Sequence, residues 1–131
     1  MSLELEILAP DHVVMKDRIV AMQAADSSGR FGIRTGHEDL LTVLVPCVVR
    51  IQSESGGERF AAVDGGVLLL ERGHISIATR DAVIANRIEQ VADAAAAMLE
   101  ARREKERAAR SGFAELETTL LRELRKAVQR S

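Results

Sequence analysis

The chain has 131 residues, of which 47% are hydrophobic and only 2% aromatic, and its formal net charge is −2. This length suffices for a domain with an aliphatic core, whereas a binder of single-stranded nucleic acid would usually supply aromatic side chains for base stacking. A single cysteine, Cys47, excludes an intrachain disulfide and suits a reducing compartment. We expect neither a secretory signal nor a membrane-spanning segment, because no basic and apolar leader and no apolar run of about 20 residues stands out.

Charge is spread unevenly along the chain. Residues 1–83 carry eight Lys and Arg against twelve Asp and Glu, and residues 84–131 carry ten against eight. An imbalance this small indicates an electrostatic preference in docking rather than a nucleic-acid-binding surface.

The first 83 residues have the pattern of short strands separated by turns. Apolar and acidic residues alternate from Leu3 to Ile7, turn-forming residues recur throughout, and eight of the nine glycines lie before residue 80. This spacing predicts an N-terminal β-sandwich of about eight to ten strands over residues 1–83. In this prediction, Lys16–Arg18 separates two strands and Asp64–Gly66 forms a tight turn.

After Asp81 the apolar period changes to three and four residues, which is typical of a helix. Ser111-Gly112 interrupts the pattern, and a second stripe then runs from Phe113 to Val128. We therefore predict an α+β, mainly β fold in which an antiparallel two-helix hairpin occupies residues 84–131. The hairpin core is thin, so we expect the helices to be able to detach or dock elsewhere.

The residues that usually carry chemistry are scattered. His12, His37 and His74 lie in separate segments without metal-ligand spacing, and Cys47 has apolar neighbours that would raise its pKa. Gly65-Gly66 lacks the residues of a phosphate loop. The mixed charges of residues 100–110 indicate a solvated helix face. We expect no catalytic residue, no metal site and no cofactor, and a function in binding partners.

One segment resembles a known family. Residues 29–44, GRFGIRTGHEDLLTVL, resemble the glycine-phenylalanine-glycine, glycine-histidine and leucine-threonine motif of the epsilon subunit of F-type ATP synthases. The resemblance continues through residues 46–51 and the double glycine of residues 60–67, and motif order agrees over essentially the whole chain. Arg34-Thr35 and Cys47, where members commonly have Leu-Pro and Gly, resemble the alternate N-type branch, whose members are proposed to pump sodium ions or protons.

The resemblance implies a non-catalytic central-stalk subunit that couples catalysis to ion translocation. The sandwich would bind the gamma subunit and the c-ring, and the complex would hold the chain peripherally at the cytoplasmic side of the inner membrane. The implied interface residues are Arg30, Phe31, Arg34, His37, Glu38 and Leu41. The hairpin would lie against gamma or reach the alpha and beta catalytic subunits and inhibit ATP hydrolysis, with basic contacts from Arg122, Arg125, Lys126 and Arg130. Residues 99–103 depart from the family's nucleotide motif, so no bound ATP is expected.

Two other classes remain open on the residues alone. One is a free-standing β-sandwich module that binds proteins and dimerises through its helices. The other is a small hydrolase, for which no constellation of residues was found.

Overall fold

The computed structural model describes the backbone of residues 2–130 and the side chains as far as residue 129. Within these residues seven strands precede one helix: β1 Leu3–Ala9, β2 His12–Asp26, β3 Gly29–Arg34, β4 Leu40–Ser53, β5 Glu58–Glu71, β6 His74–Ala78, β7 Ala82–Ala85 and α1 Ile88–Arg130. The chain divides into two compact units, one up to Leu99 and one from Glu100 onward.

The seven strands form one sheet that closes on itself. The strand order is β1-β6-β5-β4-β2-β3, with β7 paired to β5, and β1 pairs with β2 as well as with β6. All pairings are antiparallel except β1 with β6, which is parallel. The expected mainly-β N-terminal domain followed by a helical segment is therefore confirmed.

The structure has seven strands instead of eight to ten because three of them are long. β2 continues through the charged residues Lys16 to Arg18, which the sequence suggested as a break. Lys16 faces Glu6 and Arg18 faces Glu4 across the register with β1, with nitrogen–oxygen distances of 3.6 and 3.8 Å. Opposite charges in cross-strand pairs stabilise a sheet, so these residues extend the strand on its solvent face.

β5 likewise runs through Asp64–Gly66, where the sequence predicted a tight turn. Gly65 and Gly66 have φ values of +70° and +130°, which only glycine adopts readily. Before the glycines β5 pairs with β7, and after them it pairs with β6. The glycine pair is therefore the point at which β5 changes neighbours.

The core is aliphatic, as the composition requires. Its largest fully buried side chains come from all strands except β7: Leu5, Ile7, Ile19, Ile33, Leu44, Val49, Ile51, Val63, Leu68, Leu70, Ile75 and Ile77. Burial of each such side chain contributes about 1.5–3 kcal/mol to the free energy of folding.

The first turns of α1 pack on the sandwich. Val91 is fully buried in a small cluster with Phe60 and Ala62, and Ala94 and Met98 are partly buried against the same cluster. The alanine-rich sequence of this segment lets the helix approach closely, because alanine combines high helix propensity with a small side chain. Residues 88–99 thus belong to the same compact unit as the strands.

α1 runs without interruption from Ile88 to Arg130, whereas the sequence predicted a hairpin that turns at Ser111-Gly112. Gly112 lies inside the helix and does not end it. Glycine costs only about 1 kcal/mol relative to alanine in a helix interior, and the surrounding Ala, Arg and Glu residues are strong helix formers. A reversal at Gly112 would also leave the backbone groups at two new helix ends without helical hydrogen bonds, whereas the continuous helix retains them.

Candidate partner-binding surfaces

Strand β3 and the turn after it carry five of the residues that the sequence assigned to an interface. Both terminal nitrogens of Arg30 donate to the carbonyl oxygen of Val48, each at 3.4 Å, so its side chain lies over β4. Phe31 is half-buried and packs against the core, whereas Arg34, His37 and Glu38 are exposed. The His37 amide donates to the Arg34 carbonyl at 3.1 Å, which closes the turn at Gly36.

Arg34 and His37 come together in an open groove of about 740 Å³. Polar residues from β2 and β4, Gln23, Arg50 and Gln52, line the same groove, together with Glu58 at the start of β5. The Arg50 guanidinium donates to the Glu58 carboxylate, and this hydrogen bond raises the pKa of Arg50. Arg30, Phe31, Glu38 and Leu41 do not line this groove, so the predicted interface residues do not form one continuous site there.

Leu41 belongs to a different surface, which we call the apolar face of β4 and β5. It consists of Leu41, Val43, Val67 and Leu69, which are between 40% and 69% exposed. Leu41 is in register with Leu69, and Val43 with Val67, so the four side chains form two adjacent cross-strand pairs. Exposed apolar clusters on a well-packed domain commonly mark interaction sites.

Sequence reasoning identified only Leu41 of these four residues. The segments 40–45 and 67–70 are continuous apolar runs, and periodicity in such runs does not tell which side of a strand is buried. Only the pairing of β4 with β5 shows that Leu40, Leu44, Leu68 and Leu70 turn inward and their neighbours outward.

Hydrogen bonds fix the start of β4 beneath this face. Thr42 donates to the Asp26 carboxylate at 2.8 Å, and the Ser28 hydroxyl and amide donate to the same carboxylate. These bonds, first from Ser28 and then from Thr42, hold the pKa of Asp26 below its ordinary value. At the other end, the Arg72 amide donates to Asp39 at 3.0 Å and ties the residues before β4 to the β5–β6 turn.

Cys47 is a free, partly buried cysteine. Burial raises the pKa of the Cys47 thiol, as its apolar neighbours predict. Among residues 2–130, no three His, Cys, Asp or Glu residues lie close enough to hold a metal ion. Within the same range no helix combines the length and the apolar character needed to cross a bilayer.

The C-terminal part of α1 carries the predicted basic residues. Arg122, Arg125 and Lys126 are exposed, and the Lys126 ammonium lies 3.7 Å from the Glu123 carboxylate. The side chain of Arg130 lies outside the described residues. Arg122 and Lys126 are four residues apart and therefore share one face of the helix.

Comparison with known families decides what the β domain is. Residues 2–85 match the family model described as ATP synthase, Delta/Epsilon chain, beta-sandwich domain. This chain belongs to the ATP synthase delta/epsilon family. The matched region contains all seven strands, and it therefore includes the groove and the apolar face of β4 and β5.

Curated relatives of this delta/epsilon chain carry the corresponding name. It is 44% identical over 85 residues to the ATP synthase epsilon chain 2 of Paraburkholderia xenovorans, covering 63% of this chain and 61% of the relative. It is 39% identical over 85 residues to the ATP synthase epsilon chain 2 of Cereibacter sphaeroides, covering 63% and 58%. The aligned region thus spans about three fifths of the length of these relatives.

Solved structures share the fold of this delta/epsilon chain. A chain of the Euglena gracilis mitochondrial ATP synthase, in a structure of OSCP, F1 and the c-ring, is 25% identical with a TM-score of 0.61, covering 71% of this chain and 61% of that one. A chain of the Tetrahymena thermophila mitochondrial ATP synthase, from the central stalk and c-ring, is 15% identical with a TM-score of 0.52, covering 63% and 66%. The second likeness concerns the fold alone.

Proposed function

We propose that this chain is an epsilon-type, non-catalytic subunit of the central stalk of a rotary ATP synthase or ATPase. Its β domain binds the gamma subunit and the c-ring, and through them the chain sits peripherally at the cytoplasmic side of the inner membrane. In this position the subunit contributes to the coupling of catalysis to ion translocation. Family membership supports the kind of complex, and the similarity to a chain in an F1 and c-ring assembly supports the place within it.

The observation that carries the proposal is the apolar face of β4 and β5. Its two cross-strand pairs expose Leu41, Val43, Val67 and Leu69 on a domain whose other large aliphatic residues are mostly buried. A protein surface that is apolar at its centre and polar at its rim fits the composition of a stable interface. We assign this face to the gamma subunit.

The polar residues around β3 supply the second contact. Arg34 and His37 line the groove, and Arg30 and Glu38 lie nearby along the chain. Charged residues at the edge of an interface set orientation and specificity more than affinity. We assign these residues to the c-ring, with Phe31 supporting β3 from the core side.

Co-purification tests the proposal. A tagged chain, co-expressed with the gamma and c subunits of the same organism, is expected to retain both. Leu41→Asp is expected to lose gamma, because it places a charge at the centre of an apolar interface. Val13→Asp is the matched control: Val13 is 49% exposed, but it lies in the β1–β2 pairing, away from β4 and β5.

The two contacts are separable in the same experiment. Arg34→Glu is expected to weaken retention of the c-ring while gamma stays bound, since Arg34 lies in the groove and not on the apolar face. If the tagged chain is purified from these cells and neither gamma nor c subunits co-purify with it, the proposed place in a rotary motor is contradicted. Equal retention of gamma by Leu41→Asp and Val13→Asp would contradict the assigned surface.

The helical segment is proposed to restrain ATP hydrolysis by contact with the catalytic alpha and beta subunits. Arg122, Arg125, Lys126 and Arg130 place four positive charges within nine residues at the end of α1. Such a cluster suits an acidic surface. Glu substitutions at Arg122 and Lys126 together are expected to raise ATPase activity of the assembled enzyme, and unchanged activity would contradict this contact.

A further inference from the structure

The apolar face of β4 and β5 continues onto the neighbouring strands β6 and β1. Val67 of β5 is in register with Ala78 of β6, and Ala78 is in register with Leu8 of β1. Ala78 is exposed and Leu8 is partly buried, whereas Ile77 and Ile7, which precede them, are fully buried in the core. Successive side chains of a strand point to opposite sides of a sheet, so Ala78 and Leu8 project outward like Val67. We define the apolar row as Val43, Val67, Ala78 and Leu8, one residue from each of β4, β5, β6 and β1.

The apolar row runs across the strands. Neighbouring strands lie about 4.8 Å apart, so three spacings give the row a length of about 14 Å. Two residues along the strands, Leu41 and Leu69 form the next cross-strand pair, but on β6 and β1 this level is occupied by Ser76 and Glu6. The outward surface therefore stays apolar across the four strands and becomes polar along them.

Charged and polar groups border the apolar row. One further level along the strands, Nε2 of His74 lies 2.8 Å from the Glu4 carboxylate. Beyond β1, Nδ1 of His12 lies 2.7 Å from the Asp11 carboxylate in the β1–β2 turn, next to Val13. Removing charged groups from water costs free energy, so a partner that covers the row leaves these groups at the edge of the contact.

The apolar face of β4 and β5 is by itself small for a specific interface. Such an interface takes about 800 Å² from each partner, supplied by roughly 20–30 residues. Four side chains on two strands supply only the centre of a contact of this size. On the other side of β4, the nearest paired residue of β2 is Asp26, which is in register with Leu44 and carries a carboxylate. The apolar row therefore indicates the direction in which the contact extends, toward β6 and β1.

We propose that the apolar row enlarges the surface that binds gamma, so that Ala78 and Leu8 contact gamma together with Leu41 and Val43. The inference rests on the proposed function for the identity of the partner, because the row is continuous with the face assigned to gamma. The partner surface that fits is an apolar strip that crosses the strands and has polar groups along its sides. Val13 lies beyond the row, beside the polar β1–β2 turn, and Val13→Asp is still expected to retain gamma.

Substitution of Ala78 tests the row in co-purification of the tagged full chain with gamma. Ala78→Asp places a charge within the row and is expected to lower retention of gamma by about tenfold or more, since the charge would be buried without a partner. Val83→Asp is the matched control, because Val83 is 38% exposed on β7 and pairs with Ala62, which is not a member of the row. Its retention of gamma is expected to equal that of the original chain. Circular dichroism of each free variant checks its fold.

Thiol labelling tests the same contact without adding a charge. In a chain that carries Cys47→Ser, the thiol of Ala78→Cys is expected to react readily with a maleimide when the chain is free. In the complex with gamma it is expected to react about tenfold more slowly, because a covered thiol is less accessible. Val83→Cys is expected to react at similar rates in both states. Protection of Ala78→Cys that grows with the concentration of the free chain would assign the row to a second copy and overturn the proposal.

The combined results distinguish a failure of this inference from a failure of the proposed function. If the original chain does not retain gamma, both fail. If Leu41→Asp loses gamma while Ala78→Asp retains it and Ala78→Cys stays unprotected in the complex, the row lies outside the contact and only the inference is overturned. If Ala78→Asp does not fold, the labelling rates of Ala78→Cys and Val83→Cys decide.

Discussion

Gly66 occupies a position in the β domain that has no room for a Cβ atom. A Cβ atom at this position would lie 2.1 Å from the carbonyl oxygen of Ala78, and the φ of +130° is strained for any other residue. The close approach occurs where β5 begins to pair with β6. The glycine is thus required by the tertiary contact as well as by its own conformation.

Gly66→Ala is therefore expected to lower the free energy of unfolding by at least about 2 kcal/mol, since backbone strain and displacement of β6 add together. Chemical denaturation of the full chain measures the change. Gly57→Ala is the matched control, because Gly57 has no atom within 4 Å of the added Cβ and no positive φ. It is expected to lie within about 0.5 kcal/mol of the original chain. Similar losses for both variants would contradict the role of the close approach.

Asp26 gives a pH-dependent prediction at the same scale. Its hydrogen bonds from Ser28 and Thr42 favour the carboxylate and lower its pKa in the folded chain. The stabilisation is present above the ordinary pKa of aspartate and is lost as pH falls through the lowered value. Ser28→Ala is expected to move the pKa of Asp26 up toward its ordinary value, which a carboxyl NMR titration measures. Ser55→Ala, in a different turn, should leave it unchanged; an unaltered Asp26 titration in Ser28→Ala would argue against the hydrogen bond.

At the scale of elements, the local sequence pattern predicted where strands occur, whereas contacts with distant residues determine how far the strands extend. Alternation correctly indicated strands, but it divided β2 and β5 at Lys16–Arg18 and Asp64–Gly66. The charges of β2 are matched by Glu4 and Glu6, and Gly66 of β5 is required by the close approach of Ala78. In both strands the deciding contact comes from a residue distant in sequence, which a local pattern does not contain.

In helix α1 the local sequence has the opposite effect: the high helix propensity of the surrounding residues continues the helix through Gly112, where a break was predicted. Gly112→Ala is expected to increase helicity and to stabilise the residues from 100 onward by about 1 kcal/mol, because no atom lies within 4 Å of the added Cβ. Circular dichroism during thermal unfolding measures both effects. Ala114→Gly is the reverse control and is expected to lower helicity by a similar amount. A fall in helicity in Gly112→Ala would indicate that the chain turns at this glycine.

At the scale of the whole molecule, the structure sets where the helical segment can be removed. Val91 and Met98 pack with Phe60 against the sandwich, so a cut after residue 83 would expose part of a core cluster. A cut after Leu99 follows the boundary between the two compact units. The apolar face of β4 and β5 lies entirely before this cut.

The chain truncated after Leu99 is expected to fold, to retain gamma, and to raise ATP hydrolysis when it is assembled into the enzyme. The restraint proposed for residues 122–130 is then absent, while the surface proposed to bind gamma remains. ATPase assays of enzymes carrying the full and truncated chains measure the effect, and thermal unfolding of the truncated chain is the control. Equal ATPase activities at equal retention of gamma would contradict the inhibitory role.

The sequence by itself determined the class of the fold, its family and the type of core. The alternation of apolar and polar residues, the glycine-rich turns and the helical period are local properties of the sequence. The family motif of residues 29–44 and 60–67 is likewise recognised from the amino acids themselves. These features therefore indicated a mainly β domain followed by helix, and the family of ATP synthase delta/epsilon chains. They also proposed Leu41, Arg34 and His37 for one subunit interface, whereas the structure places Leu41 on the apolar face and Arg34 and His37 at the groove.

Tertiary structure decided which apolar residues face outward and where the elements end. Leu40 and Leu41 have the same side chain, but pairing of β4 with β5 turns one toward the core and exposes the other. Likewise Val91 and Leu120 belong to the same helix, yet Val91 is fully buried with Phe60 and Ala62, whereas Leu120 is 56% exposed. Burial depends on partners distant along the chain, whereas residue patterns report only the tendency of a side chain to be buried.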